Sequence, residues 1–220
     1  MIFEALVFII VFAYLPNHQQ FRAFFSQLIK GKDIGQKIED KFITDLVKRK
    51  TGLRVKEIFV FNLEKPMGMM PGLPFNPHMI LTKGLLKTFS KSELECVVLH
   101  EAGHCLLWHV VKAVGVFVIL ASLGVFILYQ LSLNYIYVLL LAMVMGVVFN
   151  NVGRLFEYEA DYFAVKRMMN PKGMINATEK FKKFYGNKNT ILHKLFYVGV
   201  PYEDRIKIAE KRLNALKGYN

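Results

Sequence analysis

The 220-residue chain carries 29 Lys and Arg against 17 Asp and Glu, a formal net charge of +12, yet 54% of its residues are hydrophobic. Such a basic and apolar chain cannot be an evenly patterned soluble domain: the length suits one domain plus membrane elements, and the apolar residues gather into runs. The charge does not indicate nucleic acid, since no recognition motif accompanies it, and a basic face against an anionic lipid leaflet accounts for it.

Met1 to Leu15 is the first apolar run, interrupted only by Glu4. It has neither a basic leader nor a small-residue cleavage site, so it is expected to remain as an anchor. As a helix it reaches only about 22 Å, which suits a thinned bilayer, an extension past Pro16 or an interfacial position. Ile34 to Lys50 reads as a helix, with Ile34, Ile38, Phe42, Leu46 and Val47 on one stripe and Gly52 just past its end. Leu53 to Asn62 reads as a strand, followed by a Gly/Pro/Met-rich loop from Pro66 to Pro77 in which Met67, Met69 and Met70 are expected to pack. His78 to Lys83 reads as a second strand. It is expected to form an exposed sheet edge onto which an extended peptide adds by backbone hydrogen bonds.

Ser90-Lys-Ser-Glu93 is a capping box, and Leu94, Val97 and Val98 begin an apolar helical stripe behind it. On that helix stands His100-Glu101-Ala-Gly-His104. Residues four apart lie one turn apart on one face, so the two imidazoles can grip one metal ion while Glu101, beside it, acts as general base toward the attacking water. Cys96 and Cys105 lie on opposite sides of the same helix and cannot bridge; packing is their expected role, in a reducing compartment. His109 would sit about 140° from His104 on a continuous helix, which makes it a packing or interfacial residue.

Ala113 to Leu131 and Tyr135 to Val152 contain no charged residue, and only Ser132, Leu133 and Asn134 separate them. Each has the length of a bilayer-spanning helix, so together they predict a transmembrane hairpin. Lys112 and Arg154 flank it, and the remaining basic residues concentrate in Arg22 to Lys91 and Lys166 to Lys217. By the positive-inside rule these segments face the cytoplasm, with Met1 outside.

A catalytic zinc takes three protein ligands and a water, and two histidines with one glutamate is a common set. The candidates for the third stand directly after the hairpin, in Arg154-Leu-Phe-Glu157-Tyr-Glu159-Ala-Asp161. On a helix Glu157 and Asp161 share a face, one as ligand and one as a carboxylate supporting a ligand, while Glu159 points about 200° away from Glu157. Small Ala160 and Ala164 would let that helix approach another closely.

Ile80-Leu-Thr-Lys-Gly84-Leu-Leu, Ser92-Glu93-Leu94, His100-Glu-Ala-Gly-His104 and Glu157-Tyr-Glu-Ala-Asp161 give the chain a likeness to a known family. It resembles the HtpX-like and CAAX prenyl endopeptidase-like integral-membrane zinc metalloproteases, over roughly Met79 to Val165 with weaker echoes beyond. The resemblance implies one Zn2+ ion held by His100, His104 and Glu157, with Glu101 as catalytic base and Asp161 orienting a ligand histidine. It also implies a cytoplasm-facing active site acting on membrane-associated or misfolded proteins. Arg205 stands where the family carries an arginine and joins the expected catalytic set. Gly199 stands where the family has a histidine that stabilises the oxyanion; Tyr197, Tyr202 or His193 would have to replace it. The Asn-Ala-Phe-type segment usual before the edge strand is replaced by the Met/Pro/Gly loop.

The expected fold is therefore mainly α (α+β): a multi-pass membrane protein with a gluzincin-like domain, a small β-sheet and a transmembrane hairpin between the metal motifs. Its expected organisation is an anchor at 1–16, a first catalytic part at 17–112, the hairpin at 113–152 and a second catalytic part at 153–220. The expected function is a zinc metalloendopeptidase. A weakly active zinc-binding scaffold or sensor, a sensor protease of the antibiotic-receptor type and a CAAX-processing enzyme are the rivals.

Overall fold

The computed structural model describes residues 35–131, 134–186 and 198–217. The anchor, the start of the first predicted helix at Ile34, the Ser132-Leu133 turn, His193 and Tyr197 lie outside the described residues. The chain divides into two compact units, one holding residues 110–155 and 198–199 and the other holding residues 35–109, 156–186 and 200–217.

In the larger unit β1 (Gln36–Ile38), β2 (Glu57–Phe61), β3 (Gly68–Met69) and β4 (His78–Thr82) form a mixed sheet in the order β1-β2-β4-β3. β2 and β4 run parallel in the centre, with Ile58 opposite Met79 and Val60 opposite Leu81. β1 lies antiparallel to β2, and β3 antiparallel to β4 through Gly68↔Leu81 and Met69↔Ile80. Two expectations change here. Residues 36–38 form a strand instead of the first turn of a helix, because their backbone pairs with β2. Nor is His78 to Lys83 the sheet edge: β4 is flanked on both sides, and the Met/Pro/Gly loop itself supplies the edge strand β3. A two-residue strand with glycine in it leaves no period-2 pattern to read.

Helix α1 (Lys41–Thr51) begins where Asp40 accepts the Ile43 N–H at 3.1 Å. It ends as predicted at Gly52, whose φ of 79° supplies the left-handed cap. Its Ile43, Leu46 and Val47 are buried. Thr82 caps α2 (Lys83–Thr88) through a 3.3 Å bond from Leu85 N. Helix α3 (Lys91–Leu106) then opens with Glu93 accepting the Ser90 N–H at 2.6 Å, the predicted capping box.

α3 is the centre of this unit. Val98, Leu99 and Ala102 are fully buried in one core with Leu46, Met79, Leu81 and Leu85. Burying a Leu or Val side chain stabilises a fold by roughly 1.5–3 kcal/mol, so α3 is held firmly while it presents its polar side chains. Helices α6 (Lys172–Tyr185) and α7 (Tyr202–Lys217) complete the core with Met174, Ala177, Ile208 and Ala209.

The smaller unit contains most of α4 (His109–Leu131) and the first part of α5 (Tyr135–Arg167), whose start is capped by Asn134 Oδ1 accepting Ile136 N at 3.1 Å. Leu128, Val138, Ala142 and Met145 bury one another between the two helices, and Phe117 meets Phe149 edge-on at 6.1 Å. Val114, Val118, Ile119, Leu123 and Phe126 on one helix, and Leu140, Met143 and Val144 on the other, are exposed. Both helices are long and apolar enough to cross a membrane. Lipid would cover the apolar surface they leave open.

Candidate metal centre

Packing brings α3 and the last three turns of α5 into contact. Gly103 makes this possible: a Cβ there would lie 3.0 Å from Phe163 Cδ1 and 3.4 Å from the Ala160 Cα. Ala160 and Ala164 are fully buried, as close helix approach requires. Glu157 and Asp161 of α5 are thereby set against His100 and His104 of α3.

His100 Nε2 and His104 Nε2 lie 3.1 Å apart, and the Glu157 carboxylate reaches them at 3.5 and 3.4 Å. One ligand atom from each of the three residues falls within 4.8 Å of the other two, the arrangement a single metal ion needs. The two histidines turn their Nε2 atoms inward and their Nδ1 atoms outward to partners. His100 Nδ1 lies 2.8 Å from Asp161 Oδ1, and Arg205 Nε donates to Asp161 Oδ2 over 2.8 Å. Arg205 also stands 3.9 Å from Glu157. Two nitrogens and a carboxylate oxygen around one point, each imidazole supported from behind, match the donor chemistry of zinc.

The electrostatics follow from crowding. Burial disfavours a charged His100 ring, but the adjacent Asp161 and Glu157 outweigh it and hold the pKa up at about 10. For His104 burial and the neighbouring His100 act together, pushing it down to about 3. Burial raises Glu101 to about 7 against the pull of His100 and the Met70 backbone N–H. Glu101 lies under the sheet edge, since a Cβ on Gly68 of β3 would sit 3.6 Å from Glu101 Cγ. A carboxyl poised near neutral pH beside a metal site is suited to proton transfer.

Cys96 and Cys105 are buried free thiols. Burial, with Asp161 nearby, pushes Cys96 up to about 12, and burial also raises Cys105, whose thiol points at the Gly72 carbonyl at 3.8 Å. Both pack, as expected. Tyr202 opens α7 directly ahead of Arg205.

His109 is the expectation that fails. Its Nδ1 lies 2.9 Å from His104 Nδ1 and its Nε2 lies 3.0 Å from Glu159. On a continuous helix His109 would lie about 140° from His104, but α3 stops at Leu106 and Trp108 adopts φ 59°, the left-handed region. A tryptophan there costs of order 1–3 kcal/mol, and no sequence rule places a tryptophan in that conformation. The turn swings His109 back onto His104. Glu159, read as pointing away, meets the site from the other side through His109.

The sequence profile of peptidase family M48 matches residues 56–213. The chain belongs to peptidase family M48. Its class is that of the metallopeptidases, and the match takes in every residue of the centre described above. No curated protein sequence matches the chain. Among solved structures the fold is similar to the crystal structure of S. mikatae Ste24p, with a TM-score of 0.65 and 19% identity over 93% of this chain. The chain spans about half of that protein's length, 55% of it being covered. The fold of this M48 chain is thus a mainly helical membrane-peptidase fold with a small mixed sheet.

Proposed function

We propose that this M48 chain is a zinc-dependent endopeptidase that hydrolyses membrane-associated or misfolded proteins at the cytoplasmic membrane surface. The observation that carries the reading is the convergence of His100 Nε2, His104 Nε2 and Glu157 on one point with Glu101 on the neighbouring helix position. His100, His104 and Glu157 would hold the ion. Zinc bound there would supply Lewis acidity, polarising the scissile carbonyl and lowering the pKa of the attacking water.

The remaining steps belong to side chains. Glu101, one position from the ligand His100, accepts the proton of the attacking water and returns it to the leaving amine. Asp161 fixes the His100 ring through Nδ1. Arg205, placed among the catalytic residues from the sequence, serves instead as a positioning residue, since its contacts are with Asp161 and Glu157. The substrate backbone extends the sheet at β3, directly above Glu101, in place of the β4 edge expected from the sequence.

The membrane setting is supported by the two long apolar helices, and the orientation by the concentration of basic residues in 22–91 and 166–217.

The test is the Glu101→Gln variant of the purified full chain in detergent. Expected are one bound zinc per chain, chelator-sensitive cleavage of an unfolded or membrane-tethered protein by the wild type, and a rate reduced by about 10²–10⁴ in the variant with zinc retained. Zinc binding without cleavage by the wild type would instead favour a membrane scaffold or sensor.

A further inference from the structure

His109 and Glu159 contact the centre yet have no part in the proton transfers assigned above. His109 is almost fully enclosed, 4% exposed, and stacks on Phe156 at 4.9 Å and 14°. Glu159 is 51% exposed and faces it across 3.0 Å. The direction of the hydrogen bonds follows from chemistry. An ionised carboxylate only accepts, so His109 donates through Nε2–H, and a neutral His109 ring then carries its lone pair on Nδ1. That lone pair, 2.9 Å from His104 Nδ1, accepts the His104 Nδ1–H. His104 is left with a free Nε2 lone pair, and Nε2 is the atom turned toward His100 and Glu157.

With a metal in place of its Nε2 proton, His100 would reach the same state by a shorter route, its Nδ1–H donating directly to Asp161. Each ligand histidine therefore has a carboxylate behind it, one in contact and one through an intervening imidazole. The left-handed Trp108 is what makes the second possible, because a continuous helix would carry His109 away from His104. Strained backbone that delivers a side chain to a site is a mark of function more than of packing.

We infer that His109, held by Glu159, is a positioning residue for the metal ligand His104, fixing the proton on His104 Nδ1 and keeping Nε2 aimed at the metal. The inference rests on the zinc reading above. Partners of this kind typically carry about 10–100-fold in metal affinity.

The experiment measures zinc affinity of the full chain in detergent by competition with a chromogenic chelator, alongside the visible spectrum of the Co2+ form. His109→Phe keeps a ring against Phe156 but removes the relay, and zinc affinity should fall about 10–100-fold while the cobalt spectrum keeps its band pattern. Glu159→Ala should weaken zinc in the wild-type background and have no further effect in His109→Phe. Glu159→Gln, whose amide oxygen still accepts, should restore most of the affinity. Glu159 is on the surface, so its two variants decide the matter even if His109→Phe fails to fold. Wild-type affinity in Glu159→Ala, or an equal loss from Glu159→Ala in both backgrounds, overturns the relay and leaves the zinc reading standing. A changed ligand count in the cobalt spectrum of His109→Phe also overturns it, because His109 would then be a ligand. A wild-type chain that binds no zinc defeats the zinc reading and takes the relay with it.

Discussion

Arg205 Nε donates to Asp161 Oδ2 over 2.8 Å, and the other oxygen of the same carboxylate holds His100 Nδ1 at 2.8 Å. Asp161 is 1% exposed and Arg205 17%, so neither charge has much water to fall back on. Asp161→Ala should lower zinc affinity about 10–100-fold by freeing the His100 ring. Arg205→Met should have a different signature, since it leaves the Asp161 charge buried without its guanidinium. That costs about 3–5 kcal/mol of stability, read as a lowered thermal midpoint of the zinc-free protein. Equal loss of zinc affinity in both variants with unchanged stability would contradict the division of roles.

Gly68 passes over α3 so closely that a Cβ there would lie 2.7 Å from Val97 Cγ1. Gly68→Ala should therefore lift β3 away from Glu101, reducing peptide cleavage while zinc binding persists. Val97→Ala removes the methyl groups in the way, and the double variant should recover part of the lost activity. Coupling of this kind between touching residues commonly amounts to about 0.5–3 kcal/mol. If Gly68→Ala cleaves at the wild-type rate, β3 does not carry the substrate.

The parts of this molecule that could be read in advance are those where one residue type has one physical task. Glu93 three positions after Ser90, Gly52 after an apolar stripe, and two histidines one turn apart each specify a local geometry that tertiary packing had no reason to alter. Ala160 and Ala164 also delivered the close helix contact they suggested, although the sequence did not name its partner, Gly103. What escaped was non-local. β3 exists because β4 offers it an edge, and residues 36–38 are a strand because β2 pairs with them. His109 escaped for a sharper reason: its position depends on one tryptophan in a conformation that sequence rules assign to glycine and, less often, asparagine or aspartate.

Glu93 also ties α3 to α6, and its titration gives the fold a pH dependence that can be isolated. Its side chain is 5% exposed, and it accepts from Lys180 Nζ and Ser90 N at 2.6 Å each. Burial alone would raise its pKa, but these donors outweigh it and hold the folded value below the ordinary 4.5. A carboxylate whose folded pKa is depressed stabilises the fold above its unfolded pKa, and that contribution is lost as pH falls through the folded value. Glu93→Gln should consequently be less stable than wild type by about 1.5–3 kcal/mol at pH 7, the range for hydrogen bonds to a charged group. The gap should narrow as pH falls below about 4.5, because protonation turns the wild-type side chain into the neutral acceptor the variant already has. Thermal midpoints of both proteins at pH 7 and pH 4 check this, with the other acidic groups common to the pair and cancelling in the difference. A gap of the same size at both pH values would mean that shape, and not the charge on Glu93, holds α6 against α3.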